Sequence, residues 1–469
     1  MKFFDREKEL SELKKLKSGM VVIYGRRRVG KTELIKQFIK SEKAVYFFVN
    51  PKKTEKELLA DYTQELKEKL DLPEYIKVER WNDFLKLLFD LSKNKKFVVA
   101  FDEFQRFLEI KESIVYDFQK FWDLSEKKPY FIFSGSSIGM IKKIFIENKA
   151  PLFKRSNLLI NLEPFSFFSI SKILKNLGIR NIEEQIKIYC LFGGIIYYYT
   201  LIESNNCKNI EEIINKLIIN QNTPLKKEVR DILIEEFGKD YSTYLGILTA
   251  ISLGKTKRNE IADYIGFPST SLSPYFFDLI ELLNIVKRQR KITESKESKD
   301  TRYALTDNFI TFWLRYIHKN ESYFEIGEFN IILKKIEKDI KKFFGLKFED
   351  IAKELLIKLN KEDKLPFKFM KLGRQWGNYR ESNKRKEYEI DLVTLNEDKK
   401  EIGFFEVKWK DLKEKEARKI LRELKEKSEF VDWNLDNRKE FFGVIAKKIE
   451  NKNKLRKEDY LIFDLRDFS

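Results

Sequence analysis

Short apolar runs separated by longer amphipathic stretches fill the first part of the chain. Met20–Tyr24, Phe97–Phe101 and Tyr130–Phe133 are runs of Val, Ile, Phe and Tyr too short for helices and bounded by polar segments, the pattern of buried parallel strands. Between them, Glu33–Ile39 repeats its apolar residues at helical spacing. The alternation predicts an α/β class with a three-layer core, a parallel sheet covered by helices.

The pattern changes downstream. From about Tyr241 to Ile317 it reads helix, helix, helix and then two short strands, the layout of a winged helix-turn-helix. Thr256–Ile265 is the expected first crossing helix, 266–270 the turn, and Leu272–Leu283 a second helix capped by Ser271 and tolerating Pro274 in its first turn. Val286–Arg290 and Thr301–Leu305 are the expected wing strands. Beyond Leu346 a helix–strand–hairpin–helix order begins, with Glu387–Leu395 and Glu401–Trp409 read as adjacent antiparallel strands joined by 396–400.

A chain of 469 residues exceeds what one core supports, since single cores rarely grow past about 250 to 300 residues. The expected division is 1–170 for the α/β core, 171–239 for a helical lid, 240–330 for the winged helix and 331–469 for a carboxyl-terminal α/β domain. An apolar fraction of 42%, with 41 Phe and 20 Tyr, supplies enough surface for several cores. The net charge of +18 points to a polyanionic partner or to a solvated lysine-rich surface, and composition alone leaves both open. Only Cys190 and Cys207 occur, without C-x-x-C spacing, which excludes a disulfide framework and a thiolate zinc site. His318 is the sole histidine, so an H-E-x-x-H centre is excluded and a histidine-based triad would have to use it. The amino terminus becomes charged at Lys2, without the apolar core of a signal peptide, and stretches such as 193–202 fall short of the roughly 20 residues that span a bilayer. A soluble, cytoplasmic protein without a membrane partner is expected.

The residues that carry chemistry begin after the first strand. Gly25, Arg26, Arg27, Arg28, Val29, Gly30, Lys31 and Thr32 match G-x-x-x-x-G-K-[ST] between a strand and a helix. In that pattern backbone N–H groups wrap phosphates at the positive end of the helix, Lys31 reaches the β and γ phosphates and the Thr32 hydroxyl ligates magnesium. ATP and Mg²⁺ are therefore the expected cofactors. Phe97–Phe101 ends in Asp102 and Glu103, a Walker B arrangement in which Asp102 holds the metal and Glu103 orients and deprotonates the attacking water. Ser136, after the third strand, fits either a γ-phosphate sensor or a tight turn needing small residues. In the carboxyl-terminal hairpin, alternation puts Glu406 and Lys408 on one face and brings Asp391 beside them. Two carboxylates and an ammonium suit Mg²⁺-dependent phosphodiester hydrolysis, and they equally suit a surface salt-bridge cluster. The basic residues Lys255, Lys257, Arg258, Lys287, Arg288, Arg290 and Lys291 suit non-specific contact with DNA phosphates. The second helix offers Tyr275, Phe276, Phe277, Asp278 and Glu281, none of them a base-reading donor, so a lid or protein-contact role stays open.

Together these motifs resemble the archaeal-type ATPase family, a branch of the AAA and STAND class. Asp5-Arg6-Glu7 with Leu10 and Leu13 is similar to the family's amino-terminal box near the adenine. Pro151–Arg155 leading to Leu162–Phe167 is similar to the stretch carrying its arginine, which implies an arginine-finger or sensor role for Arg155. Tyr189–Tyr197 is similar to its glycine-glycine-x-proline junction, with Ile196 in place of proline. Asp391, Glu406 and Lys408, with Glu349 on the preceding helix, resemble the PD-(D/E)XK restriction-endonuclease-like fold, which implies Glu349, Asp391 and Glu406 as metal ligands. The resemblance implies an ATP-hydrolysing switch that binds DNA and cleaves it with Mg²⁺. The alternatives are a signalling or interaction ATPase whose nuclease-like module is inactive, and a homo-oligomeric DNA remodelling or loader ATPase in which Arg155 completes a neighbour's site.

Overall fold

In the computed structural model, residues 3–294, 300–381 and 384–468 are described, so Lys2, part of the amino-terminal reading, lies outside the described residues. The chain divides into two compact units that interleave along the sequence. The first consists of 1–165, 195–200 and 277–284, the second of 166–194, 201–276 and 285–469.

The first unit is built on five parallel strands, β1 (Gly19–Tyr24), β2 (Ala44–Phe48), β3 (Val98–Asp102), β4 (Tyr130–Gly135) and β5 (Leu158–Asn161), in the order β2-β3-β4-β1-β5. β3 and β4 are buried at every position, which is why both read as unbroken apolar runs. Phe101 stacks on Phe133 across the sheet at 5.8 Å, and Phe104, Phe107 and Phe118 pack edge-on around them. Strand order reverses around β1, so a crevice opens beyond the carboxyl ends of β1, β4 and β3, where ligands bind in open α/β sheets. The helix Ile138–Phe145 follows β4, and a Cβ on its Gly139 would lie 2.0 Å from the Leu282 side chain; only glycine lets 277–284 seat there.

The second unit holds the two-stranded sheet β6 (Val286–Gln289) and β7 (Arg302–Leu305) and a five-stranded mixed sheet. The latter contains β8 (Lys371–Glu381), β9 (Lys384–Asn396), β10 (Glu401–Leu412), β11 (Lys439–Ile449) and β12 (Leu461–Phe463) in the order β12-β11-β10-β9-β8. β8, β9 and β10 run antiparallel, while β11 and β12 join in parallel after the helix Glu414–Ser428 and the turn of helix Lys452–Arg456. One helix, Phe329–Lys361, precedes them. Among the described residues no helix is long and apolar enough to cross a membrane.

Two expected helix starts move. The first helix begins at Arg258, because Oε2 of Glu260 accepts the N–H groups of Thr256 (3.0 Å) and Lys257 (3.1 Å) and holds them outside the helix. The expected helix Leu272–Leu283 starts earlier: the backbone is helical without a break from a tight first turn, Ser269–Leu272, through Ser273–Phe277 to a wider last turn, Asp278–Leu282. Ser271 does not cap it: its hydroxyl donates back to the Pro268 carbonyl at 2.7 Å, so no oxygen is aimed at the following N–H groups.

Candidate functional site

The chain leaves β1 through Gly25, where a Cβ would stand 2.3 Å from the Leu162 carbonyl oxygen, so the loop can pass only as glycine. Lys31 opens the helix Lys31–Ile39 and is buried, its ammonium donating to the carbonyls of Gly25 (2.9 Å) and Arg26 (2.8 Å). The cation and the positive helix end thus share one loop. Arg6 braces this loop from outside: it pairs with Glu9 at 3.0 Å, donates to the Glu163 carbonyl at 2.7 Å and lies 4.0 Å over the Phe165 ring. From 195–200, Tyr197 lies under the Arg28 guanidinium at 4.0 Å, and Ile196 comes within 3.6 Å of where a Gly30 Cβ would be. Ile196 is therefore packed on the phosphate-binding loop.

Asp102 ends β3 facing that loop. Its Oδ2 accepts from the Thr32 hydroxyl (2.7 Å) and the Tyr46 hydroxyl (2.6 Å), and its Oδ1 accepts from Ser134. Burial, followed by the charge of Asp102, pushes the Tyr46 hydroxyl far above its ordinary pKa, so it remains a donor. Glu103 adopts a left-handed backbone (φ 58°), and its Oε2 accepts from Ser136 (2.6 Å) and from the Gln105 amide (2.5 Å). Ser136 thus contacts Glu103 directly. Tyr46 and Gln105 were not singled out from the sequence; for Tyr46 the one available signal was a hydroxyl among the apolar residues 44–48.

Arg155 is placed elsewhere. Its guanidinium forms two 2.7 Å bonds to Asp123, and Nη1 donates to the Pro151 and Phe153 carbonyls at 3.1 Å. It stands just before β5, whose first residue Leu158 pairs with Val21 early in β1, whereas the loop follows the last residue of β1. Arg155 therefore sits at the opposite end of the sheet from Lys31, Asp102 and Glu103.

In the second unit, Asp391 on β9 and Glu406 and Lys408 on β10 converge. Lys408 donates to Asp391 Oδ2 (3.1 Å) and Glu406 Oε2 (2.5 Å), and the Val407 N–H donates to the same Asp391 oxygen (2.9 Å). Lys427, on the helix Glu414–Ser428, donates to the other oxygen of Glu406 at 2.6 Å and was not foreseen. Burial opposes ionisation of both carboxyls. At Asp391 the Lys408 charge and the Val407 N–H overcome it and hold the pKa below the usual range, whereas at the 6%-exposed Glu406 side chain burial and the charge of Asp391 prevail and raise it. Burial also works against the Lys408 charge, but the two carboxylates raise its pKa. Glu349 pairs with Arg374, which also reaches Glu389 at 3.2 Å. Among the described residues no three His, Cys, Asp or Glu side chains gather into a metal cage.

Of the basic residues expected to meet phosphates, Arg290 is half-buried and the other six fall into two groups. Arg258 is spent on the turn at Ser269, Thr270 and Ser273, Lys287 pairs with Asp350 at 3.2 Å, and Lys291 pairs with Glu294 and Asp300. Lys255, Lys257 and Arg288 are exposed.

Comparison with known proteins agrees with the first unit's geometry. Residues 3–202 match a family described as an ATPase domain predominantly from Archaea, and residues 313–420 match one described as "Archaea bacterial proteins of unknown function". An uncharacterised protein of Methanocaldococcus jannaschii is 37% identical over 474 residues, spanning 100% of both chains. The Walker-type ATPase of Pyrococcus abyssi shares the fold, with a TM-score of 0.53 and 21% identity over 67% of this chain and 96% of its own. The ORC2 protein of Aeropyrum pernix aligns at 16% identity and a TM-score of 0.46 over 71% of this chain and 95% of its own. With a complete phosphate-binding loop facing Asp102 and a full-length relative above 30% identity, the chain belongs to the archaeal ATPase family and is an ATP-binding, P-loop ATPase.

Proposed function

We propose that this ATPase is a nucleotide-controlled switch that acts on DNA, with 1–170, 171–239, 240–330 and 331–469 as its working divisions, and that it functions in the cytoplasm. The residues present fit a magnesium nucleotide: a loop passable only with glycine at 25, a buried ammonium within it, and two hard oxygens, Thr32 Oγ1 and Asp102 Oδ2, 2.7 Å apart. Gly25–Thr32 would hold the phosphates, and Thr32 with Asp102 the Mg²⁺, which when bound neutralises phosphate charge. Glu103 orients and deprotonates water once its carboxylate turns from Ser136 and Gln105.

The output we assign to the second unit is metal-dependent phosphodiester cleavage, and the observation that carries it is the convergence of Asp391, Glu406 and Lys408 on one face of a β-hairpin. The helix, three antiparallel strands, helix and parallel strand around them are compatible with the PD-(D/E)XK arrangement. Asp391 and Glu406 would hold the metal and Lys408 would stabilise the developing charge. Lys255, Lys257, Arg288 and Arg290 would meet backbone phosphates.

A second reading, an interaction ATPase with an inactive module, is favoured by the two ammonium groups that already neutralise Glu406 and by the pairing of Glu349 with Arg374. Hydrolysis of radiolabelled ATP run beside plasmid cleavage in Mg²⁺ or Mn²⁺, for wild type, Lys31→Ala and Asp391→Ala, separates the two. Cleavage that is lost in Asp391→Ala and responds to ATP through Lys31 supports the nuclease. ATP turnover with intact DNA supports the interaction module.

A further inference from the structure

We propose that a cavity within the second unit, between the β6–β7 sheet and the helix Phe329–Lys361, binds a small phosphorylated ligand of nucleotide size, separate from the ATP held by the loop of the first unit. The cavity measures about 610 Å³, within the range of small-molecule sites and far larger than an inorganic anion requires. Six cationic side chains line it against two carboxylates, Asp339 and Asp350.

Both carboxylates are already matched. Asp339 accepts from Arg315 (2.6 Å) and the Tyr316 hydroxyl (2.8 Å), and Asp350 pairs with Lys287 (3.2 Å) and Lys353 (3.5 Å). Burial would raise the Asp350 carboxyl, but Lys287, Lys353 and Lys347 hold it below the usual carboxylate range, so it stays ionised and occupied. Arg374 is taken by Glu349 and Glu389.

Lys319, Lys335 and Lys347 are left, among the described residues, without a carboxylate within ion-pair distance. Lys335 reaches only the Asn320 side-chain oxygen (2.6 Å) and the face of Tyr323, and Lys347, 3% exposed, reaches only the Thr311 hydroxyl (3.0 Å). Burying this ammonium is costly, the charge of Asp350, beyond ion-pair distance, offsets the cost only in part, and the Lys347 pKa is lowered to about 8. An anion in the cavity removes that cost. Three ammonium groups around one space suit a doubly charged phosphoryl group better than a single carboxylate. The side chains of Thr256, Gln289 and Tyr303 on the remaining wall can hydrogen-bond the neutral part of the ligand. The volume admits a mononucleotide and not a duplex.

The test is calorimetric titration of the full chain carrying Lys31→Ala, so that the phosphate-binding loop does not compete. The probes are pyrophosphate, ribose 5-phosphate and the four ribonucleoside monophosphates, with adenosine as the uncharged control. We expect at least one phosphorylated probe to bind one per chain and adenosine not to bind. Lys347→Met should weaken that binding about tenfold or more, the effect of one lost charge-assisted hydrogen bond. Because Lys347→Met removes a buried residue, the surface pair Lys319→Gln with Lys335→Gln provides the parallel test and should weaken binding similarly at unchanged Tm. No binding of any probe at millimolar concentration overturns the proposal, as does binding that survives the surface pair. If duplex DNA binds through these lysines and the small probes do not, the cavity wall is a nucleic-acid surface and the proposal fails.

Discussion

Ser136 donates its hydroxyl, at 2.6 Å, to Oε2 of Glu103, the same oxygen that receives the Gln105 amide at 2.5 Å. A carboxylate assigned to water activation is thus tied to two neighbours beside β4. Glu103→Gln should keep ATP binding and lower hydrolysis about 10² to 10⁴-fold, measured by phosphate release against filter binding. Gln105→Ala removes one tether and should raise basal turnover severalfold. A fall instead would mean that Gln105 positions the base.

Tyr46 and Thr32 share Oδ2 of Asp102. Removing the phenol deprives a buried carboxylate of a hydrogen bond worth about 1.5–3 kcal/mol. Tyr46→Phe should therefore lower Tm in metal-free buffer, while the Mg²⁺ concentration giving half-maximal hydrolysis falls because one competitor for that oxygen is gone. An unchanged metal dependence would remove Oδ2 from the metal site.

Arg155 and Asp123 lie at the far end of the sheet from the loop, so Arg155 can complete an ATP site only in another copy of the chain. If it does, Arg155→Ala should lose about 10³-fold or more in hydrolysis while retaining ATP binding. Mixing it with Lys31→Ala should restore activity. If mixing restores none and the unfolding free energy drops by what a partly exposed ion pair is worth, up to about 1 kcal/mol, the pair is structural.

Glu354 accepts from the Tyr189 hydroxyl (2.8 Å) and the Phe167 N–H (2.6 Å), yet burial raises its pKa to about 7 from 4.5. Between those values the folded chain keeps a proton that the unfolded chain releases, so this group's contribution to stability falls as pH rises from about 4.5 to about 7 and then levels off. The decline is on the order of 3 kcal/mol. Denaturant midpoints across this window should fall for wild type and be flatter for Glu354→Gln. Equal slopes would contradict the raised pKa.

A Cβ on Gly139 would collide with Leu282. Gly139→Ala should destabilise by about 1–3 kcal/mol through overpacking, and adding Leu282→Ala should recover part of that loss. Purely additive effects in urea melts would show that the two do not meet.

What the sequence made legible was local. The phosphate-binding loop is eight consecutive residues between a strand and a helix, and the β9–β10 hairpin announces itself through alternation and a five-residue turn. Tyr46 reaches Asp102 from 56 residues away and Lys427 reaches Glu406 from 21, and a lysine among many carries no spacing signal. β8 escaped because it is a sheet edge: with Lys371, Arg374 and Arg380 along it, the strand lacks the apolar alternation of its neighbour. Ser271 misled because the same hydroxyl that can cap a helix can also close a turn onto Pro268.

The interleaved path of the chain bears on synthesis. The nucleotide-binding unit is closed by 195–200 and by 277–284, the latter seated against Gly139. While the ribosome is still elongating toward Asn284, the early strands can pair, but the surface awaiting Leu282 stays open to solvent. The first unit is therefore complete only once the chain has been synthesised through Asn284, long after its last strand, β5.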